Sequence, residues 1–578
     1  MKKFVLILLS ITISVLASAQ VTAYSIGNER YGGRSETSMD TTLFNFHAAT
    51  PQQEYSNFVN YLGTVGSPLQ SSIYFERRAR TPFMFSDAYD AYLWKAGDVK
   101  FLLNTPFYVD ATVRGTNPIG GSQLTEGSVR VNLGGSINSH VALGASGQFA
   151  KSNGLNGADY NQVGNGYAWM ALTYDRYTGN FAATTNNIAN RENTLVNDLS
   201  TGVGYVQNVY IMNNVFHLGN DDAKDAINLI YSTKWEDVSR SYRTSAAVDS
   251  IAFASFRHSL ALQIDKNKLE VMPFSLKYFF DYEYRYHGCY SQDTLTRDLI
   301  HDHHLHTGFT IFDTYKMKNG SFNYSLDADM FIYGILTTEG GVFADFSRDF
   351  EVASEPMDVS WGLGLVRDSN TKLLTKFDSY YTNWENFDFL QYHRTEASVR
   401  FSLPKRGLSF GIKTDNIDRL IYFDETGSPA QLDTYTHVVA ADVKANLNFG
   451  KFHLDNQLVY QYSSNKEALP LPDFSIYSNF YFMDSYGDWT IQPGASINYY
   501  TAYYAQAYDV VSGSFYNQTS TLVGNTPDMS LYLNAQYKNI RLFANWNYAN
   551  SQIFGGELYT APEYKKTSRL EVGFAWNL

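Results

Sequence analysis

Cysteine is all but missing. Cys289 stands alone among 578 residues, so no intramolecular disulfide can staple the fold, and no cysteine follows the N-terminal apolar run to take a lipid anchor. Long apolar stretches are missing too. Beyond Leu16 nothing approaches the roughly 20 apolar residues that a membrane-crossing helix needs, which excludes a helical membrane protein. Positive charge is in short supply, with 44 Lys and Arg against 57 Asp and Glu and a formal net charge of −13. That balance argues against nucleic acid as a partner, because a basic footprint is expected there. The G-x-S-x-G elbow, the H-E-x-x-H helix and the Walker phosphate loop are all absent, so neither an enzyme nor a cofactor is expected.

What is present begins at the N-terminus. Met1-Lys2-Lys3 precedes an apolar run from Phe4 to Leu16, then Ala17-Ser18-Ala19. A basic n-region, a short apolar h-region and an A-x-A-like site form a secretory signal peptide, expected to span residues 1–19 and to be removed. Aromatic residues make up 16% of the chain, including 45 Tyr. A bilayer β-barrel needs such residues for the girdles at both membrane interfaces. Its strands alternate lipid-facing apolar with lumen-facing polar residues, so a mean hydropathy as low as −0.29 is compatible with a membrane location.

Period-two alternation recurs along the chain. At the C-terminus Leu570, Val572, Phe574, Trp576 and Leu578 fall on one face, and Arg569, Glu571, Gly573, Ala575 and Asn577 on the other, as strand geometry requires. Met529–Tyr537, Trp489–Tyr499, Val439–Phe449 and Phe322–Ile332 repeat the pattern, as does the stretch around Val129 to Leu133. A soluble sandwich would alternate likewise, so the connections decide. Tight turns are read at Ile137-Asn138, Thr178-Gly179-Asn180, Lys266-Asn267, Lys318-Asn319-Gly320 and Asp368-Ser369-Asn370, and again at Lys405-Arg406-Gly407, Gly450-Lys451, Gly487-Asp488 and Lys538-Asn539. Longer polar connections are read at Lys151 to Asn165, Glu385 to Tyr392, Ala505 to Thr526 and Ile553 to Lys566. The fold expected is therefore all-β: a transmembrane antiparallel β-barrel with short periplasmic turns and longer extracellular loops, in the outer membrane of a Gram-negative bacterium. Residues 98–578 allow about 18 to 22 strands, an even number. Ile335 to Met357 breaks the alternation of short and long connections and takes no assignment. Residues 20–97 are polar and rich in Gly, Ser and Asn; they read as a periplasmic lead or partial plug that could enter the lumen.

The lead carries a resemblance. Asp40-Thr41, then Asn45-Phe46-His47, then Leu62-Gly63-Thr64-Val65-Gly66-Ser67-Pro68-Leu69-Gln70-Ser71, and later Asn104-Thr105-Pro106-Phe107-Tyr108, stand in an order that resembles the putative-porin family of Bacteroidota outer membranes. Thr64 stands where that pattern carries Asn, and Tyr381-Thr382-Asn383-Trp384-Glu385-Asn386 matches its mid-barrel motif loosely. The resemblance implies passive transport.

Candidate functional residues follow from the faces. Asp110, Arg114, Arg130, Asp327, Asp329, Arg400, Asp442, Lys444, Asp455, Arg569 and Glu571 should face inward, because a charge on the lipid face costs about 2 to 4 kcal/mol near the midplane for Lys or Arg. Lumen charges set solute selectivity or pair to solubilise the wall. His301, His303, His304 and His306 are weak metal candidates, with His287 and Cys289 near the same connection. Imidazoles suit several transition metals, but on a strand these four split between two faces and could converge only in a loop; a solvated His-rich loop is the simpler reading. The function expected is a channel for passive diffusion of small hydrophilic solutes, in contact with membrane lipid and lipopolysaccharide. The alternative is a structural or partner-binding barrel, in which the lead, with Arg77, Arg78 and Arg80, docks a periplasmic partner; a homo-oligomer is open. An actively driven transporter would need a globular plug longer than this lead, and an outer-membrane hydrolase would not need this length.

Overall fold

Backbone polarity dictates the architecture. In hydrocarbon every N–H and C=O must find an internal partner, so β-strands can cross only as a closed cylinder. A computed structural model describes residues 22–577, except 40–41, 49, 78–80, 120–123, 155–159, 194–199, 245–246, 267–272, 292–296, 353, 369–371, 555–557 and 563. The expected signal peptide and the Lys266-Asn267 turn thus lie wholly or partly outside the described residues. The described strands close into an antiparallel barrel of 22, counting Asp484–Tyr486 as the continuation of Phe474–Phe482 across Met483. The first barrel strand is Tyr108–Pro118 and the last is Arg569–Asn577; their pairing, Arg569 with Pro118 through Asn577 with Asp110, seals the cylinder.

Faces follow the alternation. Val113, Val129, Leu133, Leu533, Val572 and Phe574 are exposed on the outer wall, while their neighbours Asn132, Asn534 and Glu571 are buried on the inner one. At the rim that holds the barrel's two ends, Lys318-Asn319, Gly450-Lys451, Gly487-Asp488 and Lys538-Asn539 make two-residue turns. Gly450 and Gly487 hold φ at 70° and 62° there, a region open mainly to glycine. Short turns mark the periplasmic rim of bacterial barrels.

Two turn readings need correction, and one unassigned stretch gains strands. The connection read at Thr178-Gly179-Asn180 is Asp175-Arg176, because Tyr174 pairs with Tyr177 and the glycine lies inside the strand Tyr177–Asn193. Its partners are ionic, Lys224 to Asp175 and Arg176 to Asp221, so no turn residue advertised it. Ser369 and Asn370 of the turn read at Asp368-Ser369-Asn370 lie outside the described residues, but the connection is long: Asp368 ends a strand and the next barrel strand starts at Tyr392. The unassigned Ile335 to Met357 stretch holds the strand Gly340–Val352 and the start of Glu355–Asp368. Both of its connections are short, which is why loop length gave no signal.

The cylinder is lopsided. From Tyr160–Tyr174 to Arg297–Met317 seven consecutive strands run 15 to 21 residues, well beyond the roughly 9 to 11 that cross a bilayer. The remaining strands are shorter, and the long outer connections sit among them, at 369–391, 419–435, 501–527 and 548–568. These connections turn inward rather than out. Leu373, Leu374, Phe377 and Trp384 from one, and Ile421 and Phe423 from another, share a buried cluster with Phe83, Phe85, Tyr89 and Tyr92 of the lead.

The outer face sets a stability expectation. Val572→Arg, mid-strand on the lipid face, should cost about 2 to 4 kcal/mol, whereas Ile137→Arg beside a periplasmic turn should cost about 0 to 1 kcal/mol. Urea titration of the two variants refolded in lipid vesicles measures the difference.

Candidate functional site: the lead segment inside the lumen

The lead is irregular, and an irregular backbone inside a membrane cylinder needs hydrogen-bond partners. Among its described residues are two short hairpins, Thr22–Ile26 with Arg34–Ser38 and Val59–Tyr61 with Leu69–Ser71, the first joined to Phe101 through Tyr24, a single helical turn at Pro51–Tyr55 and a 3-10 helix, Met84–Tyr92. Elsewhere the inner wall supplies the partners. Trp94 donates its backbone N–H to Asn186 Oδ1 at 2.8 Å, and Asn186 Nδ2 donates back to Trp94 O at 3.0 Å. Gln461 does the same for Tyr74 N–H and Ser72 O. Glu126 accepts from Val65 N–H at 2.7 Å. Asn165, Asn190 and Asn534 donate to the carbonyls of Tyr92, Gly66 and Leu43. The amide-rich inner face acts as a surrogate sheet partner for the lead.

The hairpin tip makes a two-pronged ionic contact with the long-strand wall. Arg30 Nε lies 2.5 Å from Asp281, its Nη2 3.1 Å from His306 Nδ1, and its guanidinium 4.5 Å over the Phe279 ring. His306 Nε2 in turn lies 2.7 Å from Asp329. Glu29 sits 3.0 Å from Arg257 and 3.6 Å from Lys234. Burial would raise the Glu29 carboxyl, but those two cations outweigh it and hold it below the usual carboxylate range.

The sequence candidates divide around this plug-like chain. Asp110, Arg114, Arg569 and Glu571 are buried on the inner wall: Arg114 pairs with Glu571 at 3.4 Å and donates to Phe46 O at 2.9 Å, Arg569 pairs with Glu126 at 3.3 Å, and Asp110 lies 3.7 Å from Arg541. Arg130 stands 5.3 Å over the Trp94 ring. Of these five, Arg114 and Arg130 touch the lead directly. Asp327 accepts from Thr310 at 2.5 Å, Arg400 pairs with Asp442 at 2.8 Å, and Asp455 and Lys444 also face inward. The histidine run lies on the strand Arg297–Met317 and not in a solvated loop, which corrects that reading. His304 and His306 are buried inward, while His301 and His303 are exposed on the outer face beside Tyr284 and Tyr282. No group of three or more His, Cys, Asp or Glu able to hold a metal ion is found among the described residues. Arg77 lies in the lumen, donating to Ser71 O; Arg78 and Arg80 fall outside the described residues.

A cavity of about 500 Å³ lies between Tyr74, Phe75, Arg77 and Asp87 of the lead and Phe343, Asp345, Glu396, Lys413 and Asp415 of the wall, with Leu374 and Phe423 from the inturned connections. Part of its charge is internally paired: Arg394 reaches Glu396 at 2.6 Å and Asp415 at 3.6 Å, and Tyr74 Oη donates to Asp415 at 2.7 Å. Burial first, then the Asp415 carboxylate, pushes the Tyr74 phenol above its ordinary value. Sequence reasoning missed these wall residues. Asp345 lies in the unassigned stretch, whereas Lys413 and Asp415 could have been found from the outward Phe410 and Ile412 that flank the inward Gly411.

His47 gives the docked lead a pH signature. Its ring stacks on Tyr532 with centroids 3.4 Å apart, and Asn534 lies 3.1 Å from Nδ1. Burial, and then the Arg114 guanidinium, push the imidazole down to about 3 from 6.5. A depressed histidine favours docking above pH 6.5, and that contribution is lost as pH falls toward 3, since only the undocked form takes up the proton. In a carbon-13 titration of histidine-labelled protein, His47 should stay neutral from pH 7.5 to 4.5, and the urea midpoint should fall across that range less in His47→Gln than in the parent. A His47 transition near 6.5 would contradict the docked arrangement.

Comparison with known proteins places these features. No curated protein matches the chain. Among solved structures, the copper transporter OprC superposes with a TM-score of 0.65 at 12% identity, covering 90% of this chain and 93% of that one. A ferric enterobactin receptor, PfeA of Pseudomonas aeruginosa, gives 0.61 at 11% identity over 84% and 82% of the two chains. The siderophore receptor PirA of Acinetobacter baumannii gives 0.60 at 8% identity, again over 84% and 82%. At such identities the likeness is one of fold, a large outer-membrane barrel. Residues 22–578 match the sequence model of the family described as "Putative porin", and this outer-membrane barrel belongs to that family.

Proposed function

We propose that the protein admits small hydrophilic solutes by passive diffusion past the lead, along the inner wall formed by the strands Gly340–Val352, Glu355–Asp368, Tyr392–Leu403 and Leu408–Asp418. The carrying observation is the cavity of about 500 Å³ on that side, bounded by charged wall residues and aromatic residues of the lead. Its size lies within the roughly 300 to 1,000 Å³ typical of small-molecule sites. The lead is then a fitted constriction that selects by size and charge, and transport rather than catalysis is the activity. Export by a cleaved signal peptide, a Gram-negative host, and an outer wall seated in lipid and lipopolysaccharide belong to the same reading.

One observation favours a second reading. The lead is held by the wall on both charged and neutral contacts, and the connections at 369–391 and 419–435 close over it. Uptake could therefore require a partner to displace the lead, as in a receptor or transporter for a captured solute; the fold relatives titled siderophore receptor and copper transporter are of interest on that ground.

Planar-bilayer recording on the mature full chain separates the two. Diffusion gives stable unit conductance in the unmodified protein, raised by Phe343→Ala, which widens the passage. Silence from protein shown to be folded would contradict diffusion and favour the displaced-lead reading.

A further inference from the structure

Four adjacent strands place Asp345, Gly362, Ser398 and Lys413 in one register row across the cavity wall. The two ends of this row carry opposite charge, and each end lacks an ion-pair partner among the described residues. The charges that act on Asp345 are Asp327 and Glu396, both of its own sign. Lys413 Nζ lies 5.8 Å over the Phe75 ring. By contrast Arg394 next to them pairs with Glu396 and Asp415, and Tyr74 donates to Asp415. Between the two unpaired charges lie the smallest side chains of the row. A Cβ at Gly362 would stand 2.7 Å from Asp345 Oδ1 and 3.2 Å from Ser398 Oγ. The Asp345 carboxylate therefore leans over the glycine, toward the lysine.

From these facts we infer that the cavity binds short zwitterionic peptides, with the ammonium at Asp345 and the carboxylate at Lys413. This inference rests on the transport reading above and names its solute class. Dimensions set the length. With the carboxylate over the Gly362 strand, two strand spacings, roughly 10 Å, remain to the Lys413 strand. Three extended residues span at most about 10 to 11 Å. The peptide backbone lies over Gly362 and Ser398, where no bulky side chain stands on the wall. Phe343 of the wall and Tyr74 and Phe75 of the lead line the cavity beside its side chains. Neutral sugars would leave both unpaired charges without a counter-charge, and simple ions would satisfy only one end.

The test uses the folded full chain in detergent, titrated calorimetrically with triglycine and with N-acetyl-triglycine amide, which has the same length and neither charge. Triglycine should bind about tenfold more tightly than the capped peptide, and Asp345→Asn and Lys413→Met should each weaken it about tenfold, the scale of one charge-assisted hydrogen bond. The double exchange Asp345→Lys with Lys413→Asp restores binding, with the peptide reversed. Equal binding of the two peptides, or no binding to a folded barrel, overturns the inference. Bilayer recording on the same sample keeps the two claims apart. Conductance without triglycine binding rejects the site and leaves the channel; triglycine binding by an electrically silent barrel supports the site and rejects free diffusion.

Discussion

Closure of the sheet is the constraint on which everything else depends. The last strand, Arg569–Asn577, pairs residue for residue with the first, Tyr108–Pro118, and without that pairing two rows of backbone donors and acceptors would face hydrocarbon. Closing 22 strands has a geometric consequence. A cylinder of about eight strands can fill itself with its own side chains, whereas one of this size leaves a lumen that something else must occupy. Here the occupant is the segment preceding the first strand, met from the outer rim by the chain's own connections.

That arrangement explains the chemistry of the inner wall. Asn and Gln recur there because the lead forms little sheet or helix of its own and takes its hydrogen bonds from wall amides such as Asn186 and Gln461. The ion pairs follow the same logic. Arg30 with Asp281 and Glu29 with Arg257 hold the hairpin tip with opposite charges in adjacent positions, so a slip of one residue would set like charges together. The long strands carry these ion pairs, and the shorter ones from Gly340–Val352 to Leu408–Asp418 face the cavity. The hairpin tip is thus held by ion pairs on the long-strand side, and the cavity opens on the short-strand side.

Much of the fold was legible in the sequence because strand periodicity is local. Leu570, Val572 and Phe574 lie outward, and Arg569 and Glu571 inward, as two-residue alternation requires. Turns were legible where glycine carried them, as at Gly450 and Gly487, and were misplaced at Asp175-Arg176, where salt bridges rather than turn residues do the fixing. The site was much less legible. Inward direction followed from alternation, but whether an inward charge meets water or the lead depends on contacts between residues hundreds of positions apart, such as Arg114 with Glu571 or Tyr74 with Asp415. Asp345 escaped notice because its stretch has short connections at both ends, so the loop-length rhythm that located other strands was silent there.

The central claim is that the lead is lodged in the lumen by wall side chains. Hydrogen exchange of the full chain in lipid bilayers tests it most directly, read at the backbone amides of Val65, Tyr74 and Trp94, which donate to Glu126, Gln461 and Asn186. A lodged lead protects these amides to the same order as amides of the adjoining strands. Exchange at the rate of an unstructured peptide, in a barrel whose strands remain protected, would contradict the account.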